Sequence, residues 1–440
     1  MAGSFQGGIH PYEGKELTQD KPIMILKPTG DLVYPMAQHI GAPAKPIVAK
    51  GDKVVVGQKI GEANGFVSAN VICSVSGTVK AVEPRLTVTG AKVESIIVEN
   101  DNEYTTIEGM GQLRDYTKLS KAEIRDIVKE AGIVGMGGAG FPAHVKLTPK
   151  EDKVIDYVIV NGSECEPYLT SDYRMMLEQP EKIVAGLKIV LSLFDQAKGI
   201  IAIEDNKPKA IQILQELTSK EPRVEVRVVK TKYPEGSERQ LIYATVGRKI
   251  NFSTLPLDVG CIVHNVDTII SIYGAVAEST PLLRRIITVS GNAIKNPVNF
   301  MVPTGVQYTE LIEAAGGFVG QVKKLISGGT MMGQAIYSLE VPVTKTSSAL
   351  LAFLEDEVES IPESPCIHCG SCVKVCPCHL VPQKMVQCAS RGDKEGFVKL
   401  YGMECYECGS CTYVCPAGIF LTQSFKEMRR SIIEDRKKAN

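Results

Sequence analysis

Near its C-terminus the chain reads Cys366-Ile-His-Cys369-Gly-Ser-Cys372-Val-Lys-Val-Cys376-Pro, and further on Cys405-Tyr-Glu-Cys408-Gly-Ser-Cys411-Thr-Tyr-Val-Cys415-Pro. One Cys-x2-Cys-x2-Cys-x3-Cys-Pro run is thus written twice, and it constrains the fold more than anything else in the sequence. Each run must wrap three thiolates round one small object on a tight loop. Gly370 and Gly409 let that loop close, and the proline after each run stops a helix from continuing. Structural zinc also takes four cysteines, but its sites usually pair two widely separated Cys-x2-Cys hooks. Three cysteines at successive intervals of three suit an iron–sulfur cubane instead. Such a chain moves electrons one at a time.

The double run resembles the bacterial two-cluster ferredoxin signature, in which the fourth cysteine of each run ligates the other cluster. The resemblance implies one [4Fe-4S] cluster on Cys366, Cys369, Cys372 and Cys415, and a second on Cys405, Cys408, Cys411 and Cys376. Cys73, Cys165, Cys261, Cys378 and Cys388 lie outside the runs and are expected to be buried or incidental.

At 440 residues the chain has room for two to four domains. Its 44% apolar and 22% charged residues are ordinary for a globular protein. A net charge of −1 gives no reason to expect a nucleic acid partner. No apolar run reaches the length of a membrane span, and the N-terminal stretch lacks the basic and apolar regions of a secretory signal. Clustered thiolates without such a signal point to a reducing cytoplasm.

The rhythm changes along the chain. From about 25 to 100, Val48-Ala-Lys-Gly51-Asp52…Ile60 and Ser74-Val-Ser-Gly77…Val82 alternate strands with Gly and Asp turns, as a small β-barrel or sandwich does. The segment resembles the biotinyl/lipoyl carrier fold. The lysine that carriers place at a hairpin tip is missing from Gly61-Glu-Ala-Asn-Gly-Phe-Val67, so a docking or scaffolding role is expected. From about 120 to 280, strands (Val154–Val160, Ile200–Glu204, Val224–Val229) alternate with helices (Glu181–Phe194, Ala210–Ser219), which predicts a largely parallel, Rossmann-like α/β domain. Short strands and a helix at about 308–315 then suggest a β-grasp insert. Ser360 to Pro365 reads as a linker. The final segment, Ile419 to Asn440, reads as a helix with a basic end, more in keeping with a solvated face than with lipid docking.

The second informative stretch is Gly132-Ile-Val-Gly135-Met-Gly137-Gly138-Ala-Gly140-Phe141-Pro142-Ala-His-Val-Lys146. Glycine density of this kind marks backbone that must approach something closely, such as a phosphate or a flat ring. It follows a helix rather than a strand, so it is not a dinucleotide fingerprint. Flexible turn and nucleotide site both remain open from the loop alone. Asn161-Gly-Ser163-Glu164-Cys-Glu166-Pro167, Tyr233-Pro-Glu-Gly236-Ser237-Glu238 and Val263-His264-Asn265-Val-Asp-Thr268 each stand at a strand-to-helix junction, where α/β domains bind ligands.

These four motifs, in this order, resemble those of the FMN- and NADH-binding subunit of respiratory complex I: Gly-Arg-Gly-Gly-Ala-Gly-Phe-Pro…Lys, Asn-Ala-Asp-Glu-x-Glu-Pro, Tyr-x-x-Gly-Glu-Glu and Asn-Asn-Val-Glu-Thr. With Phe5-Gln-Gly-Gly-Ile-His-Pro11…Lys15-Glu-Leu-Thr18, the carrier-like segment and the paired cysteine runs, the whole chain resembles the C-subunit family of Rnf membrane-bound electron-transport complexes. The cobalamin-reductase flavoproteins of bacterial microcompartments resemble the flavin and cluster parts but less of the N-terminus. Met136, Ser163 and Ser237 depart from the complex I motifs, each removing a charge.

The resemblance implies four parts: a carrier-like β domain at 1–110, an FMN/NADH-binding α/β domain at 111–283, a β-grasp domain at 284–345 and a helical bis-[4Fe-4S] domain at 346–440. It implies FMN over Gly135, Gly137, Gly138, Ala139 and Gly140. Asn161, Ser163, Glu164, Tyr233, Gly236, Glu238 and Asn265 would surround it, and Lys146 would neutralise its phosphate or the pyrimidine edge of its ring. Phe141 and Glu164 would help place NAD(H). A flavin takes electrons in pairs from a nicotinamide and gives them singly to clusters, which links the two motif sets. Hydride transfer needs no protein base, so no catalytic base is assigned. The implied function is a ferredoxin:NAD+ oxidoreductase subunit of an ion-translocating complex. It would be peripheral on the cytoplasmic face of the membrane and held by other membrane and peripheral subunits. A soluble corrinoid reductase and a flavin-free electron wire are the alternatives.

Overall fold

The computed structural model describes residues 3–150, 153–359 and 361–439. Ser360, the first residue of the expected linker, lies outside them. The N-terminal β domain pairs Leu32–Pro35, Lys92–Asn100, Gly77–Leu86 and Lys53–Val54 in one antiparallel sheet. A second sheet of Lys45–Pro46, Lys59–Glu62 and Val71–Ile72 completes the barrel sandwich. Its buried Leu32, Tyr34, Ile60, Ile96 and Val98 form one core with Ile287, Val289 and Leu350 of the β-grasp sheet. Barrel and β-grasp therefore stabilise each other by shared apolar burial.

The α/β domain is built on a four-stranded parallel sheet in the order Val224–Val229, Lys198–Glu204, Tyr157–Gly162, Cys261–Asn265. Parallel strands covered on both faces must be apolar on both, and Val158, Ile159 and Val160 are fully buried in sequence. Helices Pro180–Ser192 and Val266–Ala277 cover one face. They touch at Gly186, where a Cβ would stand 2.4 Å from the Ile269 carbonyl oxygen. Leu241 and Ile242 of helix Glu238–Val246 cover the other face. The chain steps outward from the Tyr157 strand twice, then returns to lay Cys261–Asn265 on its opposite side. The order reverses there, which opens a crevice at the strand C-termini.

The β-grasp sheet has six strands in the order Met24–Ile25, Val298–Pro303, Arg284–Ser290, Ala349–Phe353, Lys324–Ser327, Gln334–Ile336, beside helix Tyr308–Ala314. It runs past residue 345. Ala349–Phe353 pairs parallel with Arg284–Ser290, and a parallel partner has to be reached by a long crossover. The cluster domain packs helices Ser371–Val375, Pro382–Ser390, Lys394–Lys399, Ser410–Tyr413 and Leu421–Ala439 round Met385, Phe397 and Phe425. The last helix lays Met428 and Ile432 on that core. Arg429 pairs with Glu407, so part of its basic character is used internally. No helix among the described residues is long and apolar enough to cross a membrane.

Candidate functional site

The two cysteine runs fold as crossed quartets. Cys366, Cys369, Cys372 and Cys415 line one cavity, while Cys376, Cys405, Cys408 and Cys411 line another. Gly370 and Gly409 take φ of 77° and 82°, the left-handed conformation that starts each short helix after the loop. Main-chain N–H groups of Leu380 and Glu407 point at the sulfurs of Cys376 and Cys405, each at 3.4 Å. Donors of this kind stabilise thiolate ligands and tune a cluster. Burial pushes the Cys405 and Cys411 thiols up to about 12, so only a bound metal would deprotonate them near neutrality. Among the described residues no group of three or more His, Cys, Asp or Glu could hold a single metal ion. Four thiols lining each cavity suit a cubane. Cys366 and Cys369 are exposed, whereas Cys376 and Cys408 are buried, so one quartet faces outward and the other inward. Cys378 lines the inner cavity with its thiol turned to the Glu404 carbonyl.

The glycine loop lies over the crevice. The Gly135 N–H donates to the Phe141 carbonyl at 2.8 Å and closes it, while the Met136 N–H donates to the Thr268 hydroxyl at 3.0 Å and holds it to helix Val266–Ala277. Met136 is buried, but the crest of Gly137, Gly138 and Ala139 is exposed. A Cβ on Gly137 would come within 2.9 Å of Asn265, and one on Gly138 would meet nothing. Phe141 is half-buried. Asn161 donates to the Gly236 carbonyl at 2.8 Å and accepts from the Ser163 N–H at 3.2 Å, joining two of the predicted segments. Lys146 and Glu238, both predicted to face the ligand, pair at 2.8 Å, and Lys146 also donates to the Val263 carbonyl.

Two expected contacts point elsewhere. The Glu164 carboxylate accepts N–H groups of Asp172 and Tyr173 and so caps helix Ser171–Glu178. The Tyr233 hydroxyl turns to the inner quartet and donates to the Cys408 carbonyl at 2.7 Å.

Several residues escaped the motif reading. Asn265 donates to Asp172 at 2.6 Å, and burial, reinforced by Glu164, pushes the Asp172 carboxyl up to about 7. Buried Lys207 donates to the Ser163 carbonyl at 2.6 Å and pairs with Glu204. Arg285 reaches from the β-grasp strand to the Met136 carbonyl and Asp267. The barrel contributes too: the Phe66 carbonyl at its hairpin tip bonds the His144 ring at 3.1 Å, in the helix that carries Lys146. His264 is buried with both ring nitrogens unpartnered, as is the Ser163 hydroxyl. Unpartnered buried polar atoms in two of the predicted segments suit a ligand with hydroxyl, phosphate and ring-edge groups. FMN fits these residues.

An α/β crevice under a glycine loop, joined to two cysteine quartets, defines an electron-transfer protein of the nucleotide-binding, iron–sulfur class. The comparisons agree. The RnfC barrel sandwich hybrid domain matches residues 3–103, the Nuo51 FMN-binding domain 128–274, the SLBB domain 286–335 and the 4Fe-4S dicluster domain 365–419. The C subunit of the Na(+)-translocating ferredoxin:NAD(+) oxidoreductase complex of Acetobacterium woodii is 44% identical over 100% of this chain and 99% of its own length. The proton-translocating counterpart of Clostridium ljungdahlii is 44% identical over 88% of this chain and 84% of its own. The C subunit of the ion-translocating oxidoreductase complex of Rhodobacter capsulatus is 40% identical over 96% and 82%. An NAD+-reducing [NiFe]-hydrogenase chain shares the fold at TM-score 0.51 and 20% identity, over 66% of this chain and 56% of that one. The chain belongs to the C-subunit family of ion-translocating ferredoxin:NAD+ oxidoreductase complexes.

Proposed function

We propose that this protein passes electrons between a ferredoxin-fed partner and NAD(H) as the C subunit of an ion-translocating ferredoxin:NAD+ oxidoreductase complex. The observation that carries the reading is the order of its sites. An outward quartet, an inward quartet and a nucleotide crevice follow one another, with Tyr233 bonded from the crevice side to Cys408.

Gly135 to Gly140, Asn161, Ser163, Gly236 and Asn265 would hold FMN, and the crossed quartets would hold two [4Fe-4S] clusters. When bound, the flavin supplies hydride exchange with the nicotinamide and single-electron exchange with the clusters. The chain's own residues supply position. The loop crest leaves room for a ring, and the Lys146–Glu238 pair and Asn265 line the strand ends. Lys207 and Arg285 hold Ser163 and Met136 from behind. The charges missing at Ser163 and Ser237 leave a less polar crevice than the complex I motifs imply, while the Met136 side chain is buried in the core. The protein would sit peripherally at the cytoplasmic face of the membrane, held by other subunits of the complex.

The test is anaerobic. Purified protein should contain one FMN and about eight irons, as two cubanes require, and NADH should bleach both flavin and cluster bands. The same iron without flavin, or a flavin that NADH leaves oxidised, would reduce the chain to an electron wire.

A further inference from the structure

The N-terminal motif Phe5-Gln-Gly-Gly-Ile-His-Pro11…Lys15-Glu-Leu-Thr18 has no place in any of the cofactor sites. In the fold, residues 3–18 precede the barrel strands and run from the edge of the α/β sheet past the cluster domain to the crevice loop. Gly3 adds a rung beside strand Val224–Val229, its N–H on the Val228 carbonyl and its carbonyl on the Lys230 N–H. Lys232 caps the Phe5 carbonyl at 3.0 Å and stands over the Phe5 ring. The Gly8 N–H donates to the Val375 carbonyl at 2.8 Å, one residue from the ligand Cys376. Ile9 and Tyr233 exchange both main-chain hydrogen bonds at 2.9 Å, and the same Tyr233 holds Cys408.

The segment then turns under the crevice. The buried Lys15 ammonium donates to the carbonyls of Glu164, Glu166 and Leu169 at 2.9, 3.0 and 2.5 Å. That is the loop that leaves Ser163, and Glu164 and Tyr168 both take positive φ within it. Thr18 ends the run on Thr170, which bonds Asn299 of the β-grasp sheet.

Glycine is required at the crossing. With φ of 85° at Gly7, a Cβ would stand 2.9 Å from the Cys376 carbonyl oxygen, and with φ of 81° at Gly8, one would stand 2.7 Å from the Tyr233 carbonyl oxygen. One strip of chain thus grips the crevice loop at one end and, at the other, the Val375 carbonyl beside Cys376 and the main chain of Tyr233, whose hydroxyl holds Cys408.

We propose that residues 3–18 are a tie that fixes the separation of the inner cysteine quartet from the nucleotide crevice, with Gly7, Gly8, Ile9 and Lys15 as positioning residues for electron passage between them. This rests on the proposed electron path, and the test separates the two.

Full-length protein with both clusters and FMN is mixed rapidly with NADH, and flavin and cluster bleaching are followed as separate phases. In Gly8→Ala and Lys15→Met, iron, sulfide and FMN contents and the flavin phase should match the unaltered protein. The cluster phase should slow severalfold while the flavin phase does not. Lys15→Arg, which keeps a donor cation, should recover most of the rate. A cluster phase unchanged in both variants, or flavin and cluster phases slowed together, would overturn the tie. Absence of a flavin phase in the unaltered protein would instead overturn the proposed function.

Discussion

The Tyr233 hydroxyl donates to the main-chain carbonyl of Cys408 at 2.7 Å, so a side chain from the crevice segment Tyr233–Glu238 is bonded to a ligand loop of the inner quartet. Tyr233 is 2% exposed and packs with Ile9 and Cys408 in a small apolar cluster between the domains. Around it Gln240 donates to the Pro377 carbonyl, Arg239 pairs with Glu404, and the Phe252 N–H donates to Glu404. Helix Glu238–Val246 is therefore both a wall of the crevice and the seat of the cluster domain. Tyr233→Phe should keep both cofactors but leave a buried carbonyl unpaired, a loss of about 1–3 kcal/mol. The unfolding transition should move down by roughly that amount in a urea titration, and an unchanged midpoint would contradict the bond.

The crossed pairing of quartets predicts an asymmetry between double variants. Cys366→Ser with Cys415→Ser alters two ligands of one cavity, whereas Cys366→Ser with Cys376→Ser alters one ligand of each. The first pair should lose about four irons and keep one intact cubane, and the second should damage both. Iron analysis with low-temperature spin resonance of the reduced protein distinguishes them. The reversed pattern, with both cubanes damaged in the first pair and one kept intact in the second, would mean that each run holds its own cluster.

What the sequence revealed follows physical range. The quartets and the glycine loop were legible because their chemistry is local: three thiols on one loop, or a backbone with no Cβ on its crest. The alternating α/β rhythm was legible for the same reason, since burial on both faces of Val158–Val160 is written in adjacent residues. Lys15, Lys207 and Arg285 were not, because each acts on a carbonyl that only the fold brings near. Strand Ala349–Phe353 was missed likewise. Its partner Arg284–Ser290 lies far back in the chain, and nothing local says that Ala349 to Phe353 sits mid-sheet. Tyr233 and Glu164 show the converse limit. Their motif matched, but their side chains turn to the quartet and to a helix end.

The glycine loop can be tested without touching a polar group. Gly137 faces Asn265, and an added side chain would collide there at 2.9 Å. Gly137→Val should therefore displace the loop or Asn265 and lower flavin retention after gel filtration to a small fraction. Iron content should be unchanged, because the quartets lie in another domain. Gly138→Ala, which meets no neighbour in the protein, separates backbone disturbance from blockage of the ligand. Loss of flavin in both variants would place the ligand against the crest, while loss in Gly137→Val alone would make the Asn265 contact the deciding feature. Full flavin in both would remove the loop from the binding site.

His264 supplies a pH prediction. Burial, helped by the nearby Lys146 cation, lowers its imidazole to about 3, whereas an unfolded histidine titrates near 6.5. Between those values the unfolded chain binds a proton that the folded chain refuses. Stability from this group is complete above about 6.5 and declines as pH falls, approaching 1.4 kcal/mol per unit. In flavin-free protein, urea unfolding should therefore show a drop of about 1 kcal/mol between pH 6.5 and 5.5 that is absent from His264→Asn. Asparagine cannot take the proton, so the comparison isolates one group from the carboxylates that titrate lower. Parallel pH profiles for the two proteins would show that His264 gains a proton in the folded state as readily as in the unfolded one, and that its nitrogens are not sealed from water.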